Sequence, residues 1–181
     1  MSPPSKTLLF LGPAGAGKAT ALGCLLFKYG GIDMLTMERF QRDGIKSNDQ
    51  AARDLKSRGL ERGFYIPNSH VLISDGSSKV NCVILVIPAA SGSVEFKKEF
   101  DTAAVYSKKI IVLVNKMDVA GWSEDSFRTT VKSLGADAEN FPIIPFSALE
   151  GDNAVEKSLN NSWYEGPTLL EALQASFDST T

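Results

Sequence analysis

The chain has 181 residues, 43% of them hydrophobic, enough for one domain with a sizeable core. Its formal net charge of −2 creates no general field favouring DNA, RNA or anionic lipid, so any basic face must be local. No apolar run is long enough to span a bilayer, and "MSPPSK" lacks the charged start and apolar stretch of a secretion signal, so the expectation is a cytoplasmic protein without membrane or DNA contacts.

In chain order, "KTLLFL" (6–11) is an apolar run ending at glycine and reads as a buried strand. A helix is expected from about Lys18 to the stop at Gly30 and Gly31. Two short polar helices follow, at 33–43 and 48–58, then strands at 64–66 and 70–74. "NCVILVI" (81–87) and "KIIVLV" (109–114) are rich in β-branched residues and read as fully buried strands. Between them, 95–107 has helical spacing. Ser123 is the expected N-cap of a helix to 134, with acids in its first turn. "FPIIPF" (141–146) reads as a strand, and Thr168 with Glu171 forms the capping box of a helix to 177. Short tails are expected at 1–5 and 178–181. Strands alternating with helices, the central strands apolar on both faces, predict an α/β fold with a mostly parallel sheet covered by helices.

Cys24 and Cys82 each sit in an apolar run with no metal-ligand spacing, and read as buried free thiols of a reducing compartment. The stretch 38–62 is rich in both charge signs and reads as a solvated face. Its alternative is a partner-docking surface, with Phe40, Leu55 and Leu60 inward and the arginines outward.

Residues 12–20, "GPAGAGKAT", follow the frame of a phosphate-binding loop, Gly-x-x-x-x-Gly-Lys-[Ser/Thr]. Glycines let successive N–H groups of such a loop point at one anion, and the next helix adds its positive end. Gly12, Gly15, Ala16, Gly17, Lys18, Ala19 and Thr20 are the candidate phosphate contacts, with Lys18 reaching the outer phosphates. The position that normally carries a magnesium-binding hydroxyl is Ala19. Thr20 lies about 100° further round the helix and should not replace it, though it can meet an inner phosphate. A glycine-rich turn that holds no ligand is the bland alternative.

"NKMD" (115–118) directly follows a strand. An ionised Asp118 can accept from the ring N–H and the amino group of guanine, whereas adenine would oppose it with a lone pair. Asn115 would brace the base edge and the loop, and Lys116 would lay its stem along the base or sugar. "SAL", Ser147 to Leu149, follows the next strand, and the Ala148 N–H could donate to the guanine carbonyl. Three loops in order, each after a strand, point to a guanine-nucleotide site.

These segments, with "FKYGGIDMLTMERF", "LKSRGLERGFYI", "VNKMD", "FSALEGDN" and "SWYEGPTLLEAL", resemble the GTPase domain of translation elongation factor 1-alpha, from about Lys6 to Phe177. The resemblance implies a single P-loop NTPase G-domain binding GTP or GDP. It also marks departures. The family's threonine that binds magnesium and senses the terminal phosphate falls at Tyr65, a poor metal ligand. In the family's Asp-x-x-Gly-His segment, Asp75 aligns with the aspartate, while Ser78 and Lys79 replace the glycine and the histidine that orients the attacking water. The switch helix that follows is missing, and His70 is misplaced to substitute for the lost histidine. Asp75 is the single candidate for a residual catalytic or water-mediated metal role. No β-barrel domains are expected, so tRNA delivery does not carry over.

The expectation is therefore a pseudo-GTPase that binds guanine nucleotide with weak or absent Mg2+ dependence, GDP and GTP about equally, and acts through a translation-related protein partner. Alternatives are a slow GTPase completed by a partner or the ribosome, and a mimic that binds no nucleotide and competes for elongation factor partners. An ATP-dependent kinase is disfavoured by Asp118.

Overall fold

The computed structural model describes residues 2–90 and 94–179. Six strands form one sheet in the order β2-β3-β1-β4-β5-β6. They are β1 (Ser5–Leu11), β2 (Gly63–Ile66), β3 (Ser69–Ile73), β4 (Cys82–Pro88), β5 (Ile110–Asn115) and β6 (Ile143–Pro145). All adjacent pairs are parallel except β2 with β3, which form an antiparallel edge hairpin.

The two faces of the sheet separate by residue parity, as the pleat requires. Ile84 and Val86 of β4, with Ile111 and Leu113 of β5, turn to a core shared with α1 (Lys18–Lys28), α2 (Met34–Arg42), α3 (Asn48–Ser57) and α6 (Leu169–Asp178). Val83, Leu85 and Ile87, with Val112 and Val114, face α4 (Lys97–Tyr106) and α5 (Glu124–Ser133). β4 is buried apart from its terminal proline, and all of β5 is buried. Each buried Val, Leu or Ile in such a layer contributes about 1.5–3 kcal/mol.

Helix boundaries follow the capping chemistry. Ser123 accepts from the Ser126 N–H at 3.2 Å, and Thr168 and Glu171 exchange reciprocal bonds of 2.8 and 3.3 Å. A further capping box, Ser47 with Gln50, starts α3. α1 differs: its N-cap is Gly17, which has no side chain to offer.

Four expectations change. The tail at 1–5 joins the sheet, because Ser5 pairs with His70 and the His70 N–H donates to the Pro4 carbonyl; Met1, Thr180 and Thr181 lie outside the described residues. The strand expected at 141–146 shrinks to Ile143–Pro145. Pro142 and Pro145 lack N–H donors, which suits only an edge strand. A 3-10 turn over Ala136–Asn140 was not foreseen. Leu60 is exposed, while Phe40 and Leu55 are buried. Leu60 follows Gly59, whose left-handed φ of 64° turns the chain out after α3.

The other elements lie within a few residues of their expected spans. Cys24 and Cys82 are buried free thiols. Among the described residues no helix is long and apolar enough to cross a membrane.

Candidate nucleotide site

β1, β5 and β6 run parallel, so the loops that leave them emerge at the same end of the sheet. The chain order reverses at β1, which has β3 on one side and β4 on the other. Ligands of such sheets settle in the crevice at that switch point. The 12–20 loop opens there.

Gly12, Gly15 and Gly17 all have positive φ, at 145°, 78° and 96°. Two of them are also sterically required. A Cβ on Gly12 would collide with the Val86 carbonyl of β4, and one on Gly17 with the Asn115 side chain. Gly15 meets nothing within 4 Å and faces open space. The N–H groups of Gly15, Gly17, Lys18, Ala19 and Thr20 have no hydrogen-bond partner among the described residues. Such a row of free donors at an uncapped helix start fits a phosphate group. Ala16 is buried and its N–H is used, donating to Pro13 at 3.2 Å. The Lys18 ammonium donates to the Gly12 carbonyl at 2.5 Å, and must exchange that oxygen for a phosphate oxygen when an anion enters.

Asn115 ends β5 and is buried. Its Nδ2 donates to the Ala16 carbonyl at 2.9 Å, and its Oδ1 accepts from the Ala148 N–H at 2.9 Å. One carboxamide thus joins all three loops. The Ala148 N–H, expected to meet a base, is therefore already engaged. Asp118 is half-buried, and its Oδ1 accepts from the Ser147 hydroxyl at 3.0 Å. Its Oδ2 accepts nothing among the described residues, so one carboxylate oxygen remains available as an acceptor. Lys116 and Leu149 are exposed, and Lys116 has a φ of 63°. Asn153, which the sequence did not single out, braces the third loop by donating to the Pro145 carbonyl at 2.7 Å and accepting from Ser158 at 2.7 Å.

The two ends of this crevice differ in charge. Beyond Asp118 stand Glu150 and Asp152; Asp152 raises the Glu150 carboxyl above its usual range, with burial and the Asp118 charge adding. On the other side, a cavity of about 280 Å³ is lined by Lys18, Ala19, Arg53, Lys56, Arg62 and Asp75 above an apolar floor. The three cations from α3 and its exit were read in the sequence as part of a solvated face. Their convergence depends on how α3 packs, which spacing alone does not show.

The residues do not fit a magnesium site. Ala19 has only a methyl group. Tyr65 lies opposite His70, which lies opposite Ser5, so it sits level with the start of β1. The phosphate loop follows the far end of β1, roughly 20 Å away at about 3.3 Å per residue. Tyr65 is exposed and stacks on His70 with ring centroids 4.4 Å apart. His70 thus has a structural partner remote from the loops. Asp75 reaches the cavity, but its Oδ1 accepts from the Ser77 N–H at 2.9 Å in a local turn. The Ser77 hydroxyl and then its N–H, aided by Arg62, hold the Asp75 carboxyl below the usual range. Residues 74–81 hold no helix, in keeping with the missing switch helix. Among the described residues there is no group of three or more His, Cys, Asp or Glu side chains placed to hold a metal ion.

Comparison with known proteins agrees with this geometry. The profile of the "Elongation factor Tu GTP binding domain" matches residues 68–179, which include the loops at 115–118 and 147–149. Elongation factor 1-alpha of Coccidioides immitis (strain RS) is 31% identical over 223 residues, covering 93% of this chain and 48% of its own length. Sup35 complexed with GMPPNP superimposes with a TM-score of 0.71 at 25% identity, covering 99% of this chain and 46% of Sup35. Sup35 complexed with GDP gives 0.69 at 26% identity, covering 95% and 44%. The chain spans about half the length of the curated relatives it matches. With its α/β sheet, its switch-point loop and the loops that follow β5 and β6, this chain belongs to the elongation factor Tu GTP-binding domain family.

Proposed function

We propose that this chain binds a guanine nucleotide, phosphates on the 12–20 loop and base against Asp118, without recruiting a divalent metal, and that it hydrolyses GTP poorly. The observation that carries the reading is the pair of hydrogen bonds of the Asn115 side chain, donated to the Ala16 carbonyl and accepted from the Ala148 N–H at 2.9 Å each, which holds the phosphate loop and the base loops in one frame. A frame of that kind preserves the spacing between base and phosphates without help from a metal. Sup35, its relative in fold and sequence, is known with GMPPNP and with GDP.

Weak hydrolysis follows from what the site lacks. Phosphoryl transfer needs charge neutralisation and an oriented water. Ala19 and Tyr65 supply no metal ligand at the loop, and Lys79, at the position of the water-orienting histidine, cannot act as a base when protonated. The role is then binding and signalling to a protein partner, and the kinship to elongation factor 1-alpha supports a translation-related partner and a cytoplasmic setting.

Titration of a fluorescent guanine nucleotide, with Mg2+ and again in excess EDTA, tests the proposal. Affinities within about threefold of each other are expected, and single-turnover hydrolysis should stay near the uncatalysed rate. Abrupt loss of binding in EDTA would sink it.

A further inference from the structure

We infer that Arg53, Lys56 and Arg62 form, with Lys18, a fixed cationic site that neutralises the terminal phosphates of the nucleotide in place of a divalent cation. This rests on the nucleotide-binding reading above and extends it to the phosphate chemistry, with a preference for triphosphate.

The site is built by helix packing. α3 lies against α1 so closely that a Cβ on Gly23 would collide with the Asn48 carbonyl at the start of α3. Ala51, Ala52 and Leu55 form the buried face of α3. Arg53 and Lys56 lie three residues apart, so they project as neighbours. Both reach the cavity that opens on Lys18 and Ala19. The chain then leaves α3, and the Arg62 carbonyl accepts from the Ile73 N–H at 2.9 Å, which pins Arg62 at the carboxyl end of β3. Arg62 is half-buried in the same cavity; burial lowers its pKa, yet a guanidinium stays charged at neutral pH.

The charge balance is one-sided. Four cations line the cavity against the single carboxylate of Asp75. Among the described residues no carboxylate lies within 4 Å of Lys18, Lys56 or Arg62, and Arg53 has only a long contact of 3.8 Å to Asp49. By contrast, Arg39 and Arg58 of the same charge-rich stretch are tied to Asp54 at 2.7 and 3.1 Å. Apart from Lys46, which does not line the cavity, the cations of 38–62 without a close ion pair among the described residues are the ones on the cavity wall beside Ala19, where the metal-binding hydroxyl is lacking. Side-chain cations beside a phosphate resist chelation, and unlike a tightly held metal they are screened progressively by salt. An additional phosphate adds negative charge where these cations stand, so GTP should bind more tightly than GDP. That revises the equal binding expected from the sequence.

The test measures GDP and GTP affinity in EDTA for the wild type, Lys56→Gln, Arg62→Gln and Arg42→Gln. Arg42 is an exposed cation of the neighbouring helix outside the cavity. Lys56 is an exposed helix position, so its variant keeps the fold; thermal midpoints check all four proteins. The expected result is wild-type GTP binding at least fivefold tighter than GDP and weakening with salt. Lys56→Gln and Arg62→Gln should cut GTP affinity about tenfold or more and GDP affinity less than threefold, with Arg42→Gln unchanged. If the wild type binds both nucleotides and the cavity variants leave the GTP-to-GDP ratio where it was, the cationic site is overturned and nucleotide binding stands. If the wild type binds neither nucleotide, both readings fall.

Discussion

The Asn115 side chain donates to the backbone carbonyl of Ala16 at 2.9 Å, although the two residues stand 99 positions apart. The contact explains why position 17 must be glycine, since any Cβ there would displace the carboxamide. A single buried amide therefore acts as the keystone between the phosphate loop and the loops after β5 and β6.

Asn115→Ala removes both of its hydrogen bonds and leaves the Ala16 carbonyl and the Ala148 N–H without partners. Unsatisfied buried groups cost about 1–3 kcal/mol each, so a loss of about 2–4 kcal/mol is expected. Urea unfolding measures it. Nucleotide affinity should fall in the same variant under conditions where it remains folded.

Asp118→Asn exchanges one acceptor for a donor at the carboxylate proposed to read the base. Guanine presents donors to it in that reading, so GDP affinity should drop at least about 100-fold, while xanthosine diphosphate, with a carbonyl in place of the amino group, should gain. Asp118 is half-buried and among the described residues its side chain bonds only to Ser147, so the thermal midpoint should barely move. Competition binding with the two diphosphates reads the exchange.

Gly12→Ala and Gly15→Ala separate packing from backbone strain. Both glycines have positive φ, but only Gly12 would drive its new methyl into the β4 backbone at Val86. Gly15→Ala should cost about 1–2 kcal/mol from conformation alone. Gly12→Ala should cost clearly more, by at least about 2 kcal/mol over Gly15→Ala. Chemical denaturation of the pair makes the comparison.

The ion pairs of α2 and α3 predict an acid dependence. Arg39, at 2.7 Å, and then Arg58 hold the Asp54 carboxyl below its ordinary range. The folded chain binds that proton less readily than the unfolded chain, whose aspartate titrates near about 3.9. The Asp54 contribution is therefore fully present above that value and is lost as pH falls through the lower folded value. Asp54→Asn should lower the thermal midpoint at pH 7, and its gap to the wild type should narrow as pH drops from about 5 toward 3.

Local pattern made most of the architecture readable. β4 and β5 announce themselves as unbroken apolar runs because both of their faces are covered, and the caps at Ser123 and Thr168 are visible because capping is a matter of neighbouring residues. The glycines of 12–17, Asn115 and Asp118 stood out as candidates for a similar reason, since short-range spacing dictates which groups a loop can present. Three things lay beyond such reading. Tyr65 could be recognised as a poor ligand, but its position across the sheet from the phosphate loop comes from β2 pairing with β3. The engagement of the Ala148 N–H by Asn115 depends on β5 and β6 lying side by side. The grouping of Arg53, Lys56 and Arg62 around Lys18 depends on α3 docking onto α1. A charge in a mixed run reveals its sign to any reader of the chain, but whether it is neutralised, solvated or gathered beside other cations is decided by groups tens of residues away, and only packing brings those together.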